Sequence, residues 1–428
     1  MKLYNHQKAI LEQYPLKYLL CWDTGTGKTV AALELAAKAP YSTIIVVPKA
    51  LVEKWRRDIE EWSPGAESTI VGEREVHVKL LNGKIFTIIS KEQFKNTWET
   101  LEPRASIVVD EAHYFFGTKS QLSKALIKYI KKHDIQYIWL CTATPYMSTP
   151  WNIYRAAQIL GTDWNYWKFR DKFFYMRKMN QSNPHDKRMI SVVKPNIEDD
   201  VAALVDRIGN AIHITECADV PEQIDITEYF KPTKQQERAI EELKDSEFNP
   251  IVRYTKIHQI ENGAMKGDEF SPNEFYSNDK LDRIKELAKE HGKIAFFCRY
   301  NLQIDQIAVA LEKNDKEVFI IRGDTKNRDE ITRQVEKSDS CIVLINAACS
   351  EGYELATVGI CVFASLSFSY VAYKQARGRF LRINKLKKNI YIHLVCSGVD
   401  EAVYKSILKK SDFDVAIYSK RVVECGNS

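Results

Sequence analysis

Residues 17–37 read KYLLCWDTGTGKTVAALELAA: an apolar run, a glycine loop, a Lys-Thr pair and an amphipathic stretch. A strand that enters such a loop and leaves it as a helix lets backbone N–H groups converge on phosphate oxygens. Gly25 and Gly27, flanked by Thr24 and Thr26, let the backbone curl. The positive end of the following helix adds to the attraction. Lys28 is the candidate for the β and γ phosphates, and the Thr29 hydroxyl is the candidate ligand for Mg²⁺. A glycine turn before a helix can arise by chance, but the strand before it and the helix after it favour a phosphate loop. The full pattern G-x-x-x-x-G-K-T asks for glycine at position 22, where this chain has Trp22; the shorter G-x-G-K-T is intact.

A second set of groups lies in SIVVDEAHYF, residues 106–115. Asp110 ends a buried strand, and the carboxyl edge of a parallel sheet is where ligands bind. Asp110 is placed to hold Mg²⁺ through water, and Glu111 to polarise an attacking water. Adjacent acids at a strand end are also commonly just solvated. The phosphate loop upstream argues for the chemical role.

These residues need a scaffold, and the sequence supplies one. Apolar runs at 17–22, 42–48, 85–90, 106–110 and 136–143 alternate with helical stretches, and the pattern returns at 293–298, 317–322, 341–346, 359–365 and 389–396. The runs are continuously apolar, as in parallel strands covered on both faces. The expectation is an α/β fold with two parallel lobes meeting near residue 215, 1–215 and 216–428. The aromatic stretch from about 147 to 215 is read as helices and loops attached to the first lobe.

With 428 residues, 45% hydrophobic and 28% charged, the chain has the composition of a folded protein rather than a disordered one. Its net charge of +5 permits a polyanionic partner without requiring one. The nine cysteines include no C-x-x-C pair, and several sit in apolar runs, as expected of reduced thiols in an intracellular compartment. No secretory signal and no membrane span are expected.

GTGKT, then DEAH (110–113), then CTATP (141–145), then QARGRFLR (375–382) follow one another in the order seen in superfamily 2 helicases and translocases, which this chain resembles. VVPKALVEKWRRDIEEW (46–62), QIDITEYFKPTKQQERAIEEL (223–243), KIHQIENG (256–263), SNDKLDRIKELAKEHGKIAFFCRY (277–300) and SGVDEAVYKSILKK (397–410) are similar to the Swi/Snf-like branch. The chain is most similar to the compact DEAH-box versions carried by bacteriophages. The resemblance implies two tandem RecA-like lobes with an ATP cleft between them and a small helical extension after the first. It implies that Gln7 reads adenine, that Gln375 belongs to the nucleotide site, and that Arg379 and Arg382 reach the γ-phosphate. His113 would couple nucleotide to the second lobe, although a structural histidine is an alternative. The branch's G-x-G-x-[ND]-L segment is degenerate here: SEGYEL (350–355) has Ser350 for the first glycine and Glu354 for Asn or Asp.

The cofactors implied are ATP and Mg²⁺. The implied activity is ATP hydrolysis coupled to translocation on DNA, duplex or forked, in replication, recombination or remodelling. Strand separation and a low-turnover ATP-gated clamp are the alternatives, and no pin or wedge is legible in the sequence. RNA is a lesser candidate partner, and a nuclease or primase could act as a separate protein. The expected location is cytoplasmic, in a bacterial host if the chain is phage-encoded. Pro48, Lys49, Ser90, Lys91 and Arg299 follow strands and are candidate nucleic-acid contacts; each could equally be an ordinary loop residue. Trp151, Trp164 and Trp167 could stack on bases, but packing within the extension is the preferred reading.

Overall fold

The computed structural model describes residues 3–409 apart from 72–74, 145–148, 179–188, 218–221, 245, 269–270, 326, 350–352, 354 and 382–387. The chain divides into two compact units, Met1–Ala218 and Asp219–Ser428.

The first unit begins with α1 (Asn5–Gln13), β1 (Lys17–Trp22), α2 (Lys28–Lys38), β2 (Thr43–Val47) and α3 (Val52–Trp62). It continues through β3 (Glu67–Val71), β4 (Glu75–Lys79), β5 (Ile85–Ser90), α4 (Lys91–Thr97), β6 (Ser106–Val109), α5 (Gln121–Lys132) and β7 (Tyr137–Cys141). The aromatic extension forms α6 (Trp151–Ile159), α7 (Tyr166–Phe173), β8 (Phe174–Lys178), β9 (Met189–Val193), α8 (Glu198–Ile208), β10 (Gly209–Ile212) and α9 (Ile214–Cys217). Eight strands form one sheet in the order β10-β1-β7-β6-β2-β5-β4-β3. Pairing is parallel from β10 to β5, while β4 and β3 extend the sheet antiparallel.

The continuous apolar runs have a direct physical origin. Leu19, Ile107, Val109, Ile138 and Leu140 enter one core with residues of α5, α6 and α8. Their neighbours Leu20, Trp22, Val108, Trp139 and Cys141 enter another with Ala31, Leu35, Trp55 and Ile59 of α2 and α3. With period 2 and both faces covered, every residue must be apolar. Each fully buried Leu, Ile or Val contributes about 1.5–3 kcal/mol.

The stretch read as helices and loops also contains strands. β10 joins the sheet parallel to β1, pairing Leu19 with Gly209 and Trp22 with Ile212. A Cβ at Gly209 would lie 2.0 Å from the Leu19 carbonyl, so the close approach needs glycine there. β8 and β9 form a separate antiparallel ribbon.

The second unit contains β11 (Gln223–Phe230), α10 (Lys234–Lys244), α11 (Pro250–Glu261), β12 (Ala264–Met265), β13 (Glu274–Phe275), α12 (Asp279–Glu290), β14 (Lys293–Cys298) and α13 (Asn301–Ala310). Then come β15 (Glu317–Ile321), α14 (Arg328–Lys337), β16 (Cys341–Asn346), β17 (Ile360–Phe363), α15 (Tyr370–Gly378), β18 (Asn389–Cys396) and α16 (Val399–Leu408). Its six-stranded sheet, ordered β11-β18-β17-β14-β16-β15, is parallel throughout. Asn278 and Ser369 cap α12 and α15 by accepting from the Leu281 and Ala372 backbone N–H groups.

A buried polar network ties this unit together. Lys280 Nζ donates to Asp400 Oδ2 at 2.9 Å and to Asn262 Oδ1 at 2.6 Å. His258 lies between Asp400 Oδ1 (2.9 Å) and the Tyr300 hydroxyl (2.7 Å). The Glu261 carboxylate accepts from the N–H groups of Val399 and Asp400 at the start of α16, at 2.9 and 2.8 Å. Burial is the largest influence on Asp400, but Lys280 and His258 outweigh it and hold the carboxyl far below the usual range. Burial, reinforced by Asp400, raises Glu261 to about 8. The sequence segments KIHQIENG, SNDKL and SGVDE therefore meet in one buried cluster.

Eight cysteines are described, six of them buried and Cys21 and Cys217 half-buried; Cys425 lies outside the described residues. Among the described residues, no helix is long and apolar enough to cross a membrane.

Candidate active site

The loops that follow β1, β7 and β6, three neighbours in the sheet, carry the phosphate-loop residues, Thr142–Thr144 and Asp110–His113. Separate sequence motifs thus share one carboxyl edge, where ligands of open α/β sheets bind.

In the phosphate loop, Gly25 and Gly27 take φ of +82° and +81°, the left-handed region that glycine enters without strain. The Lys28 ammonium donates to the carbonyls of Trp22 (2.7 Å) and Asp23 (3.0 Å), and Thr26 Oγ1 donates to the Asp23 carbonyl at 2.7 Å. Burial pushes Lys28 down, and Glu111 and Asp110 pull it back up. Trp22 supplies its carbonyl to this arrangement, and its indole N–H donates to Asn210 Oδ1 at 2.8 Å in β10. A buried aromatic thus occupies the position where the full pattern has glycine.

Helix α1 braces the loop. Gln7 Nε2 donates to the Gly27 carbonyl at 3.0 Å, and its Oε1 accepts from Tyr4 N at 2.8 Å. His6 Nε2 donates to the Thr26 carbonyl at 2.9 Å. Gln7 is buried with both ends of its amide engaged, so its observed contacts are with the loop backbone.

Asp110 continues β6, its N–H donating to the Val46 carbonyl at 2.9 Å. Its Oδ2 accepts from the indole N–H of Trp55 on α3 at 2.8 Å, and its Oδ1 accepts from Glu111 N at 2.9 Å. Burial, then the neighbouring Glu111, raises Asp110 to about 6, opposed by the Trp55 bond and Lys28. Glu111 has φ +46°, a conformation L residues rarely adopt, which turns the chain sharply at the edge of the sheet. Its Oε2 lies 3.2 Å from His113 Nδ1, which is 3.2 Å from Thr142 Oγ1, and that hydroxyl accepts from Thr144 N at 3.1 Å. This chain of contacts joins the acidic loop to the loop after β7.

The donor set suits a hard divalent cation. Thr29 in the first turn of α2 and Asp110 offer a hydroxyl and a carboxylate, the oxygen ligands Mg²⁺ takes. The Asp110 carboxyl is raised first by burial and then by Glu111, and a cation bound beside it would favour its charged form.

In the second unit, Gln375 is buried on α15 and Arg379 caps that helix. The Arg379 guanidinium lies 5.7 Å from the Tyr353 ring centroid, and its carbonyl accepts from Leu355 N at 3.1 Å. Among the described residues, Arg379 Nε is buried without a hydrogen-bond partner. The neighbouring Arg377 is fastened to Asp225 of β11, with Nη2 3.0 Å from Oδ2. Arg382, Ser350 and Glu354 lie outside the described residues.

The five nucleic-acid candidates differ in exposure. Lys49 is exposed, whereas Pro48 is buried. Ser90 is fully buried and spends its hydroxyl on capping α4, accepting from Gln93 N at 3.2 Å. Lys91 lies 3.1 Å over the Tyr114 ring, and Arg299 3.7 Å over the Phe368 ring. Trp55, one of the two tryptophans of the 46–62 stretch, was given no role from the sequence, and His6 and Asn210 were not singled out. The one available signal was Trp55 itself: a buried indole N–H needs an acceptor.

The chain matches the SNF2-related domain over residues 11–286 and the helicase conserved C-terminal domain over residues 279–384. It belongs to the SNF2-related family, and its two parallel α/β units are RecA-like lobes. The ISWI chromatin-remodeling complex ATPase ISW2 of Saccharomyces cerevisiae is 22% identical over 469 residues, 98% of this chain and 41% of that protein. The DNA annealing helicase and endonuclease ZRANB3 of Bos taurus is 26% identical over 148 residues, 32% of this chain and 14% of that protein. This chain therefore spans less than half the length of either relative. A solved structure, the Sulfolobus solfataricus SWI2/SNF2 ATPase core in complex with dsDNA, is similar with a TM-score of 0.41 and 18% identity, covering 96% of this chain and 91% of that one.

Proposed function

We propose that this protein hydrolyses ATP and uses the energy to move along DNA. The observation that carries the reading is the convergence of Lys28, Asp110 and Glu111 on one sheet edge, with Thr29 in the adjoining helix turn. In this reading Lys28 leaves its loop carbonyls for the β and γ phosphates, and Glu111 orients the attacking water. Thr29 and, through water, Asp110 would hold Mg²⁺, which would supply charge neutralisation at the phosphates. Arg379 and Arg382 are the arginines proposed to act on the γ-phosphate; among the described residues Arg379 Nε has no hydrogen-bond partner, which supports this role. Glutamine at position 7 would report adenine through the loop it braces.

Duplex or forked DNA is the proposed track. Family membership supports DNA, and the chemistry of the proposed contacts, Lys49, Lys91 and Arg299, suits phosphates rather than bases. Strand separation is a second reading, favoured by the β8–β9 ribbon. The proposed setting is the cytoplasm, that of a bacterial host if the chain is phage-encoded, in replication, recombination or remodelling.

The test is steady-state ATP hydrolysis with no polymer, single-stranded DNA, duplex DNA, forked DNA and RNA, with Lys28→Ala as the blank. Stimulation by duplex or forked DNA that disappears in the blank is expected. Turnover unchanged by every polymer would overturn the motor in favour of a clamp.

A further inference from the structure

Helix α7 and the β8–β9 ribbon have the wrong surface for a purely structural extension. Trp151, a candidate for base stacking, packs inward against Phe169 and Phe174, with ring centroids 5.3 and 4.8 Å away. Trp164 also packs on Phe169, at 5.9 Å. Trp167 does not: it is 60% exposed on the outer side of α7, with the Arg170 guanidinium 4.6 Å from its ring centroid.

The ribbon continues this character. Tyr175 is 57% exposed, and Met176, Met189, Ile190 and Val192 are exposed as well. Cross-strand pairing puts Tyr175 opposite Val192 and Arg177 opposite Ile190, so all four share one face. Lys194 Nζ donates to the Asp171 carbonyl at 2.6 Å and lies 5.1 Å from the Tyr175 ring centroid. That lysine joins the end of α7 and the exposed face of the ribbon into one patch. A two-stranded ribbon exposed on both faces is marginal alone, and so much uncovered apolar surface marks a binding site.

The charge of this stretch identifies the occupant. The described residues 166–178 and 189–194 hold six Lys or Arg and one Asp, a net charge of +5, as much as the whole chain carries. A protein interface would be depleted in lysine at its centre. Exposed rings, each beside a cation, are what a flexible polyanion with stackable bases requires. A duplex buries its base faces and cannot use the rings.

We infer that α7 and the β8–β9 ribbon form a platform for an unpaired polynucleotide strand, with Trp167 and Tyr175 as stacking surfaces and Arg170, Arg177 and Lys194 meeting phosphates. This goes beyond the proposed motor, since the platform needs neither ATP nor Lys28. Stacking does not distinguish deoxyribose from ribose, so the shared chemistry is that of a single strand.

The experiment measures binding of fluorescein-labelled dT20, U20 and a 20-base-pair blunt duplex to the full chain by anisotropy, without nucleotide, over a salt series. The variants are Trp167→Ala/Tyr175→Ala and Arg177→Glu/Lys194→Glu, with ATP hydrolysis and sedimentation followed in parallel. The aromatic variant should weaken dT20 and U20 on the order of ten-fold per ring and leave duplex affinity and basal hydrolysis unchanged. The charge variant should flatten the salt dependence by about 0.7 log units per lost phosphate contact. Unchanged dT20 and U20 affinity in both variants would overturn the inference. So would equal losses on duplex, or a wild-type dimer that the variants dissociate while keeping strand affinity. Failure of DNA to stimulate hydrolysis would count against the motor alone.

Discussion

The indole N–H of Trp55 donates to Asp110 Oδ2 across 2.8 Å, joining α3 to the acid at the end of β6. The two residues are 55 positions apart in sequence. The bond stabilises the ionised carboxylate against the burial and the Glu111 charge that raise it to about 6.

Replacing Trp55 with Phe keeps an aromatic ring, smaller than the indole, and removes the donor. Asp110 should then rise further, moving the acid limb of the kcat/KM profile toward neutral pH and lowering activity at pH 6 on the order of ten-fold. A limb that stays in place would show that Asp110 does not govern it. The same carboxyl affects stability. Its folded value of about 6 lies above the usual 3.8, so the native state holds a proton the unfolded chain releases between those values. Stability contributed by this group therefore falls as pH rises from about 4 to 6.

Gln7 has two tasks that can be separated. Its carbonyl caps α1 through Tyr4 N, and its amide holds the Gly27 carbonyl. Gln7→Glu keeps the acceptor and loses the donor; Gln7→Ala loses both. Both variants should raise KM for ATP, measured by steady-state hydrolysis. Gln7→Ala should also lose about 1 kcal/mol in urea unfolding from the missing cap, and Gln7→Glu at least as much, because its buried carboxylate would face the Gly27 carbonyl. An alanine variant with the wild-type unfolding midpoint would argue against a capping role.

Lys280→Met leaves Asp400 buried without its ammonium partner. An uncompensated buried charge of this kind costs about 3–5 kcal/mol. Urea unfolding should show that loss, and Lys280→Met/Asp400→Asn should recover a substantial part of it. A loss below about 1 kcal/mol would mean that His258 and the Cys396 N–H satisfy the carboxylate.

Glu261 gives the second unit a pH dependence of definite sign. Its folded value of about 8 exceeds the usual 4.5, so the native state holds the extra proton through that window. Stability should fall as pH rises from about 4.5 to 8, opposite to Asp400, whose depressed value removes stability only in strong acid. Glu261→Gln should flatten the slope between pH 5 and 8 in thermal unfolding. It should also lose about 1 kcal/mol at pH 5, because an amide nitrogen then faces a backbone N–H. An unchanged slope would place the titration elsewhere.

What was legible in the sequence was what local spacing encodes. The ten apolar runs of the two parallel cores form strands because a strand covered on both faces must be apolar at every position. The less regular strands were not legible. β10 is a four-residue segment opening on Gly209, and β8–β9 is exposed on both faces, so neither carries the periodic signal of a buried strand. The phosphate loop and the acid pair could be named from the chain alone, because their chemistry needs particular residue types within a few positions of one another.

Tertiary structure decided everything that depends on residues far apart in the chain. It put the loops after β1, β7 and β6 side by side, gave Asp110 an indole partner from α3, and set Gln7 against the loop backbone. It drew His258, Lys280 and Asp400 from three separate helices into one buried cluster. It also sorted the tryptophans, burying Trp55 and leaving Trp167 in solvent. The sequence by itself determined which groups are available and which elements carry them. Only the packing of helices onto sheets determined which groups meet, because hydrogen bonds and ion pairs act over a few ångströms and take no account of distance along the chain.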